Sequence, residues 1–526
     1  MPADTTPREE VMRVVGLPRA IVTVGCMIGT LMQALDATIA NVSLPYMQGT
    51  LSASYDEITW VLTSYVIAAA IMTAPVGWLA ARFGRKNVFL ISLVGFTITS
   101  MMCGVATSLA EMVVDRLMQG VFGAALVPLS QSTMLDIYPV ERRGSAMAIW
   151  GIGVMIGPIL GPTLGGYLTY FYDWRYVFFV NLPFGIAATL ALAIFMPARG
   201  AARRPASSNF DWTGFAVLSL FLASMQIMLD RGQEKDWFSS PEIVTFGILA
   251  AIGLYMFVVH MFTAEEPFIP RGVFGDRNLN ASLITMFAVG SVLLSSATLM
   301  PPFLEKLGNY PVEAAGLVMA PRGLGTMAAM MVAGRLSNRI DPRWLMLLGF
   351  MLLVGSFVMM MKWLPSTSQT YLVETMIVQG AGLGFVFTPL QVVAFYTLDS
   401  ALRTQGTSLL SLMRNVGMAV GISITEAFQV QMSQVAHASL SSNITPFDRT
   451  LQAGGAITRY LDPMTHHGAA LLSSMIDQQA EVIAYVDTFK FMMVVAIPAA
   501  LCLLLMRRPP RYDHASTQNA EMAALE

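Results

Sequence analysis

Some fourteen apolar runs of roughly 20 residues dominate the chain, near 20–44, 58–81, 87–107, 111–135, 144–171, 176–197, 211–230, 243–263, 279–304, 313–336, 343–362, 371–397, 405–430 and 487–506. A run of about 20 residues is what an α-helix needs to cross the hydrocarbon of a bilayer. Barrel strands are about 10 residues long and alternate in polarity, so run length selects helices. Only 12% of the 526 residues are charged and 55% are apolar, against about 25% charged in soluble domains. No soluble interior of this size hides that much apolar surface. The reading is an all-α membrane protein, which excludes a soluble enzyme and a disordered chain. A net charge of −2 supplies no basic footprint for nucleic acid. Cys26, Cys103 and Cys502 lie in apolar runs and read as small buried residues rather than a disulfide framework or metal cluster.

Lys and Arg set the expected orientation. Arg8, Arg13, Arg19, Arg82, Arg85, Lys86, Arg142, Arg143, Arg335, Arg339, Arg343, Arg403, Arg507 and Arg508 fall on one side, whereas the other side is poorer in basic residues. The basic side is expected to be cytoplasmic, with both termini there, which an even span number requires. The first apolar stretch is too long for a signal-peptide core and is interrupted by Asp36, so a cleaved leader is not expected. The divisions expected are a cytoplasmic N-terminus (1–19), a six-helix bundle (20–197) and a linker with two further helices (198–277). A second six-helix bundle (278–506) and a cytoplasmic tail (507–526) follow. The second bundle includes an external segment, 431–486, with apolar residues at helical spacing. That segment reads as an amphipathic helix lying over the external mouth or as a docking surface for an external partner.

The chain repeats itself weakly at half length. Gly77, Leu79 and Arg82 recur as Gly334, Leu336 and Arg339, and Gln119-Gly120 with Pro128 is echoed by Gln379-Gly380 with Pro389. Parallel halves of this kind are a transporter signature, with the substrate site at midplane between them. Asp36 in the first span is a costly intramembrane carboxylate and reads as a proton or cation site, or as a static hydrogen-bonding group. Arg116 shares a helix face with Gln119, Gly120 and Gly123 and reads as a cavity residue biasing a nearby carboxylate, or as the partner of Asp115. Gly153, Gly157, Gly161 and Gly165 stand at i+4 spacing with Gly166, Pro158 and Pro162, a stripe that admits a neighbouring helix closely or acts as a hinge. Gln33, Asn41, Gln131, Arg322, Gln379, Gln391, Arg414, Asn415 and Glu426 are further cavity candidates. Gly77, Arg82, Gly84, Arg85, Lys86 and Arg339 fall in cytoplasmic loops suited to gate latches. There is no Gly-Lys-Ser/Thr phosphate loop and no metal spacing among the His residues, so no metal, cofactor or catalytic residue is expected.

The segments 35–45 and 113–125, the run Gly157-Pro-Ile-Leu-Gly-Pro-Thr-Leu-Gly-Gly166 and the run Trp174–Gly185 together resemble the fourteen-span drug:proton antiporter branch of the major facilitator superfamily. Residues 226–240 and 477–489 are similar to its EmrB-type permeases. The resemblance implies the major facilitator fold, two six-helix bundles plus two extra helices. It also implies proton-driven export of hydrophobic and amphipathic toxic compounds across a bacterial inner membrane, with a periplasmic adaptor and an outer-membrane channel as partners. One departure stands out: Ala81 occupies the place of the Asp usual in the loop motif, which puts a charge-relay gate built on that Asp in doubt. A specific exporter or importer of one metabolite, and a membrane sensor without flux, remain open beside this reading. The 39 Met suit an adaptable binding wall or simple lipid-facing and core filling.

Overall fold

A computed structural model describes residues 16–139, 142–197, 210–337, 339–443 and 465–507. The expectations placed on residues 1–15, the basic part of the linker at 198–209, the middle of the external segment at 444–464 and the tail from 508 lie outside the described residues. Fourteen spans result when each bent helix pair counts once. They are Leu17–Thr50 (α1), Trp60–Thr73 with Val76–Phe83 (α2), Arg85–Val105 (α3), Leu109–Ile137 (α4), Arg143–Phe171 (α5), Tyr176–Phe195 (α6) and Trp212–Gly232 (α7). The later ones are Pro241–Thr263 (α8), Arg277–Leu307 (α9), Val312–Leu336 (α10), Pro342–Met360 (α11), Gln369–Ala394 (α12), Arg403–Asn443 (α13) and His466–Leu501 (α14). In lipid every backbone N–H and C=O must find its partner within the chain, and helices achieve that locally. Proline marks the breaks: the two parts of α2 meet at 55° around Pro75, and α5 bends by 41° between Pro158 and Thr163. The turn from α2 to α3 runs through Gly84 at φ 85°, a backbone region that only glycine enters freely.

The half-length repeat is visible in the packing. In the first bundle α1 packs on α5, α2 on α4, and α3 on both α4 and α6; in the second, α9 packs on α13, α10 on α12, and α11 on both α12 and α14. The echoed glycines occupy matching places. A Cβ on Gly120 of α4 would strike the Tyr65 carbonyl of α2, and one on Gly380 of α12 would strike the Arg322 carbonyl of α10. Small residues at such crossings let backbones approach where lipid offers no hydrophobic driving force. Of the two extra helices, α7 touches both bundles. Thr63 of α2 bonds Asp230 of α7 at 2.8 Å, and Ser423 of α13 bonds the Leu229 carbonyl at 2.9 Å. The other, α8, packs mainly on α7 and is otherwise largely exposed.

Both ends of the described chain lie at one face of the molecule. Arg19 sits over the Tyr138 ring, Arg343 bonds the Met506 carbonyl, and Asn278 receives the Arg507 amide. This face carries Arg85, Arg143, Arg343 and Arg403 and is called the basic face below. At the opposite face the structure differs from the expected surface-lying helix over 431–486. The described parts of that segment continue α13 and α14 directly. Residues 431–443 and 466–486 contain no Pro and one Gly among many Ala, Gln and Ser, so nothing stops the helices at the membrane surface. The 41-residue α13 is roughly 60 Å long at 1.5 Å per residue, about twice the bilayer core. Its extension pairs with that of α14, where His437 lies 3.3 Å from Asp477.

Candidate functional site

Asp36 sits midway along α1, fully buried, and its carboxylate is held by three side chains from two other helices. Arg116 of α4 donates to Oδ2 at 2.7 Å, Gln119 of α4 to Oδ1 at 2.9 Å, and Asn181 of α6 approaches Oδ1 at 3.5 Å. Arg116, also fully buried, places Nε on the Val61 carbonyl at 3.0 Å and Nη1 on Gln119 Oε1 at 2.8 Å. Its guanidinium lies 4.3 Å from the Tyr65 ring centre and 5.6 Å from that of Phe178, a cation–π cage. The partner of Arg116 is therefore Asp36 and not its neighbour Asp115. A buried pair recovers its desolvation cost only when the remaining donors and acceptors are met, and this network meets most of them.

The glycine stripe of α5 seats against the segment of α1 that carries Asp36. A Cβ on Gly157 would lie 2.6 Å from the Ala34 backbone, one on Gly161 would collide with Thr38, and one on Gly165 would reach the Ile39 carbonyl at 2.8 Å. Gly153 and Gly166 are looser, at 3.5 Å from Met27 and 3.8 Å from Val42. Pro158 is exposed; the side chain of Pro162 lies outside the described residues.

Between the bundles lies a second group of predicted residues. Gln131 of α4 donates to Gln391 of α12, and these line a narrow crevice, too tight to hold a water molecule, with Trp150, Met286, Leu410, Ser411 and Arg414. The Trp150 indole N–H is fixed by Ser130 at 3.0 Å and Thr30 at 3.2 Å, and its ring stacks on Phe387 of α12 at 6.1 Å. Met286 is on the cavity wall and Met330 fills the seam beside Gly151, while Met32, Met134, Met346 and Met376 are buried in the cores.

The basic-face end of the seam is shut. Asp136 at the end of α4 pairs with Arg85 of α3 at 2.5 Å and with Arg403 of α13 at 3.1 Å, joining the bundles. A Cβ on Gly77 would lie 2.7 Å from Gln405 of α13, and one on Gly334 would lie 2.7 Å from the Gly144 carbonyl of α5. Lys86 caps the end of α6 through the Ala193 and Met196 carbonyls at 2.7 and 2.6 Å. Arg82 and Arg339 are exposed.

The other candidates are dispersed. Arg322 donates to the Leu293 carbonyl and Ser296, both at 2.9 Å, and Gln379 to Met360 sulfur at 3.9 Å. Gln33, Asn415 and Glu426 are half-buried and Asn41 is exposed; of these, Gln33 approaches the Tyr65 hydroxyl beside the Arg116 cage. Sequence reasoning missed Asn181, Tyr65, Trp150 and Asp136. Asn181, an amide inside an apolar span, carried the clearest signal.

The Major Facilitator Superfamily model matches residues 26–422. The chain is 31% identical over 500 residues to the multidrug export protein EmrB of Escherichia coli (strain K12), covering 94% of this chain and 96% of that one. It is 30% identical over 500 residues to the fatty acid resistance protein FarB of Neisseria gonorrhoeae, covering 94% and 97%. Among solved structures, the human organic anion transporter MFSD10 (TETRAN) superposes with a TM-score of 0.58 at 14% identity, covering 92% of this chain and 98% of that one, a likeness of fold. Span count, paired bundles and sequence kinship converge on one assignment: this multi-pass membrane chain is a member of the Major Facilitator Superfamily.

Proposed function

We propose that this protein is a proton-coupled multidrug exporter of a bacterial inner membrane, working by alternating access of its two bundles. The basic face is cytoplasmic, with both termini there, as the excess of Lys and Arg favours. The observation that carries the reading is the Asp36–Arg116 pair. It is the one fully buried carboxylate–guanidinium pair inside the bundles among the described residues, and it sits on the helix face next to the α5 stripe. Protonation of Asp36 frees Arg116 and loosens α1 from α4, which transmits the proton's arrival to the cavity seam through Thr30, Ser130 and Trp150. The names of EmrB and FarB support export of toxic amphipathic compounds as the work of this chain too. The paired extensions of α13 and α14 give a periplasmic adaptor a helical platform clear of the bilayer, and an outer-membrane channel would complete the path. The driving force is the proton gradient, with no cofactor.

The test is Asp36→Asn in proteoliposomes carrying an internal pH dye. The variant is expected to keep the parent's gel-filtration profile while losing gradient-driven uptake of several unrelated drugs and drug-dependent proton movement. Undiminished gradient-driven transport by Asp36→Asn would remove Asp36 from the mechanism.

A further inference from the structure

We propose that Arg414 anchors the acidic head group of an amphipathic organic anion in the central cavity; this deepens, and rests on, the export reading above. Arg414 lies on α13, only 9% exposed, and lines the cavity between the bundles. Among the described residues no carboxylate stands within ion-pair distance of it, and its Nε is buried with no hydrogen-bond partner. Other buried guanidiniums of the chain are met differently. Arg116 has Asp36, Arg403 has Asp136, and Arg322 spends donors on the Leu293 carbonyl and Ser296.

A guanidinium does not lose its proton in a protein, and a charge in the membrane interior is costly without a counter-charge. Arg414 thus presents a fixed positive charge in a cavity whose wall is otherwise Trp150, Met286, Leu410 and the uncharged Gln131, Gln391 and Ser411. Its planar fork matches a carboxylate or other oxyanion through two parallel bonds. The apolar wall suits the tail of the same molecule. In this closed arrangement the crevice is too tight even for a water molecule, far from the ~300–1,000 Å³ of drug-sized sites. Head group and tail therefore enter together as the bundles part and the Gln131–Gln391 bond breaks. A cationic head group is repelled at the same point, so Arg414 discriminates by charge.

The experiment uses the full chain in phosphatidylcholine nanodiscs, without a gradient, and measures binding of dodecanoate, dodecanol and dodecyltrimethylammonium, which share one tail. Dodecanoate is expected to bind about tenfold or more tighter than dodecanol, as a charge-assisted contact provides. Arg414→Gln removes that advantage and leaves dodecanol unchanged; Arg414→Lys keeps most of it. Equal binding of dodecanoate and dodecanol by the parent chain overturns the proposal without recourse to any variant. So does an Arg414→Gln variant whose dodecanoate affinity stays near the parent's. Gradient-driven transport of a neutral drug, run on the same preparation, separates the two readings. Transport without anion preference sinks the Arg414 assignment alone, and anion preference without transport sinks the export reading.

Discussion

The contact most exposed to test is the ionic latch at the basic face, where Asp136 joins Arg85 of its own bundle and Arg403 of the other. Separation of the bundles breaks only the Arg403 arm, because Arg85 travels with Asp136. Replacing Asp136 by Asn leaves the shape and removes the charge that holds Arg403 at 3.1 Å. A hydrogen bond between charged groups contributes about 1.5–3 kcal/mol. At 1.36 kcal/mol per decade, losing it shifts the closed-to-open ratio roughly ten- to hundredfold toward opening at the basic face. Ser411→Cys places a near-isosteric thiol on the cavity wall; Cys26 and Cys103 are buried, and Cys502 is replaced by Ser beforehand. Labelling by a membrane-impermeant maleimide in inside-out vesicles then reads opening as a rate. Asp136→Asn and Arg403→Gln are each expected to raise that rate by about the same tenfold or more, and the double variant by no further factor, because they break one contact. Arg85→Gln keeps the Arg403 arm and lowers thermal stability instead. Unchanged labelling in both single variants, or additive increases in the double variant, would refute the latch.

Two further outcomes follow from the packing. Gly157→Ala and Gly161→Ala push a methyl into Ala34 and Thr38 of α1. Each is expected to lower the melting temperature of the purified protein by an overpacking cost of about 1–3 kcal/mol, whereas Gly166→Ala, with Val42 at 3.8 Å, leaves it unchanged; equal melting for all three would discredit the α1–α5 seam. His437→Cys with Asp477→Cys places a thiol at each end of a contact whose side-chain tips lie 3.3 Å apart. A short bis-maleimide cross-linker, which bridges the gap left by the truncated side chains where a direct disulfide would need closer Cβ atoms, should link the extensions of α13 and α14, seen as a mobility shift after proteolysis between them, and the absence of any linkage would argue against a paired stalk.

What the sequence disclosed was whatever local chemistry or long-range contrast with lipid could write into it. Spans, bundle count and basic face follow from run length and from sparse charge. The α5 stripe was legible because a spacing of four residues fixes one helix face, though not which helix it meets. Partner choice was not legible. Asp36 and Arg116 were singled out separately, each for being ionic in an apolar run. Their pairing depends on α1 and α4 lying side by side, 80 positions apart in the chain. Asn181 escaped because an amide is a weaker anomaly in a span than a charge, and its value lies only in reaching Asp36 and Ser100. The extensions of α13 and α14 were cut short for the opposite reason: hydropathy reports where lipid ends, and helices need not end there.

Ala81 makes the same point at the gate. Its lack of charge was readable and cast doubt on a relay through that position. The structure places a carboxylate nearby instead, on Asp136, which pairs with Arg85 of α3 and with Arg403 of the far bundle, 267 positions away. A latch requires opposite charges to meet across the seam when it is shut. It does not require them at one fixed position in the chain. A motif therefore records one solution to that requirement, and only the folded contacts reveal which residues meet it in this protein.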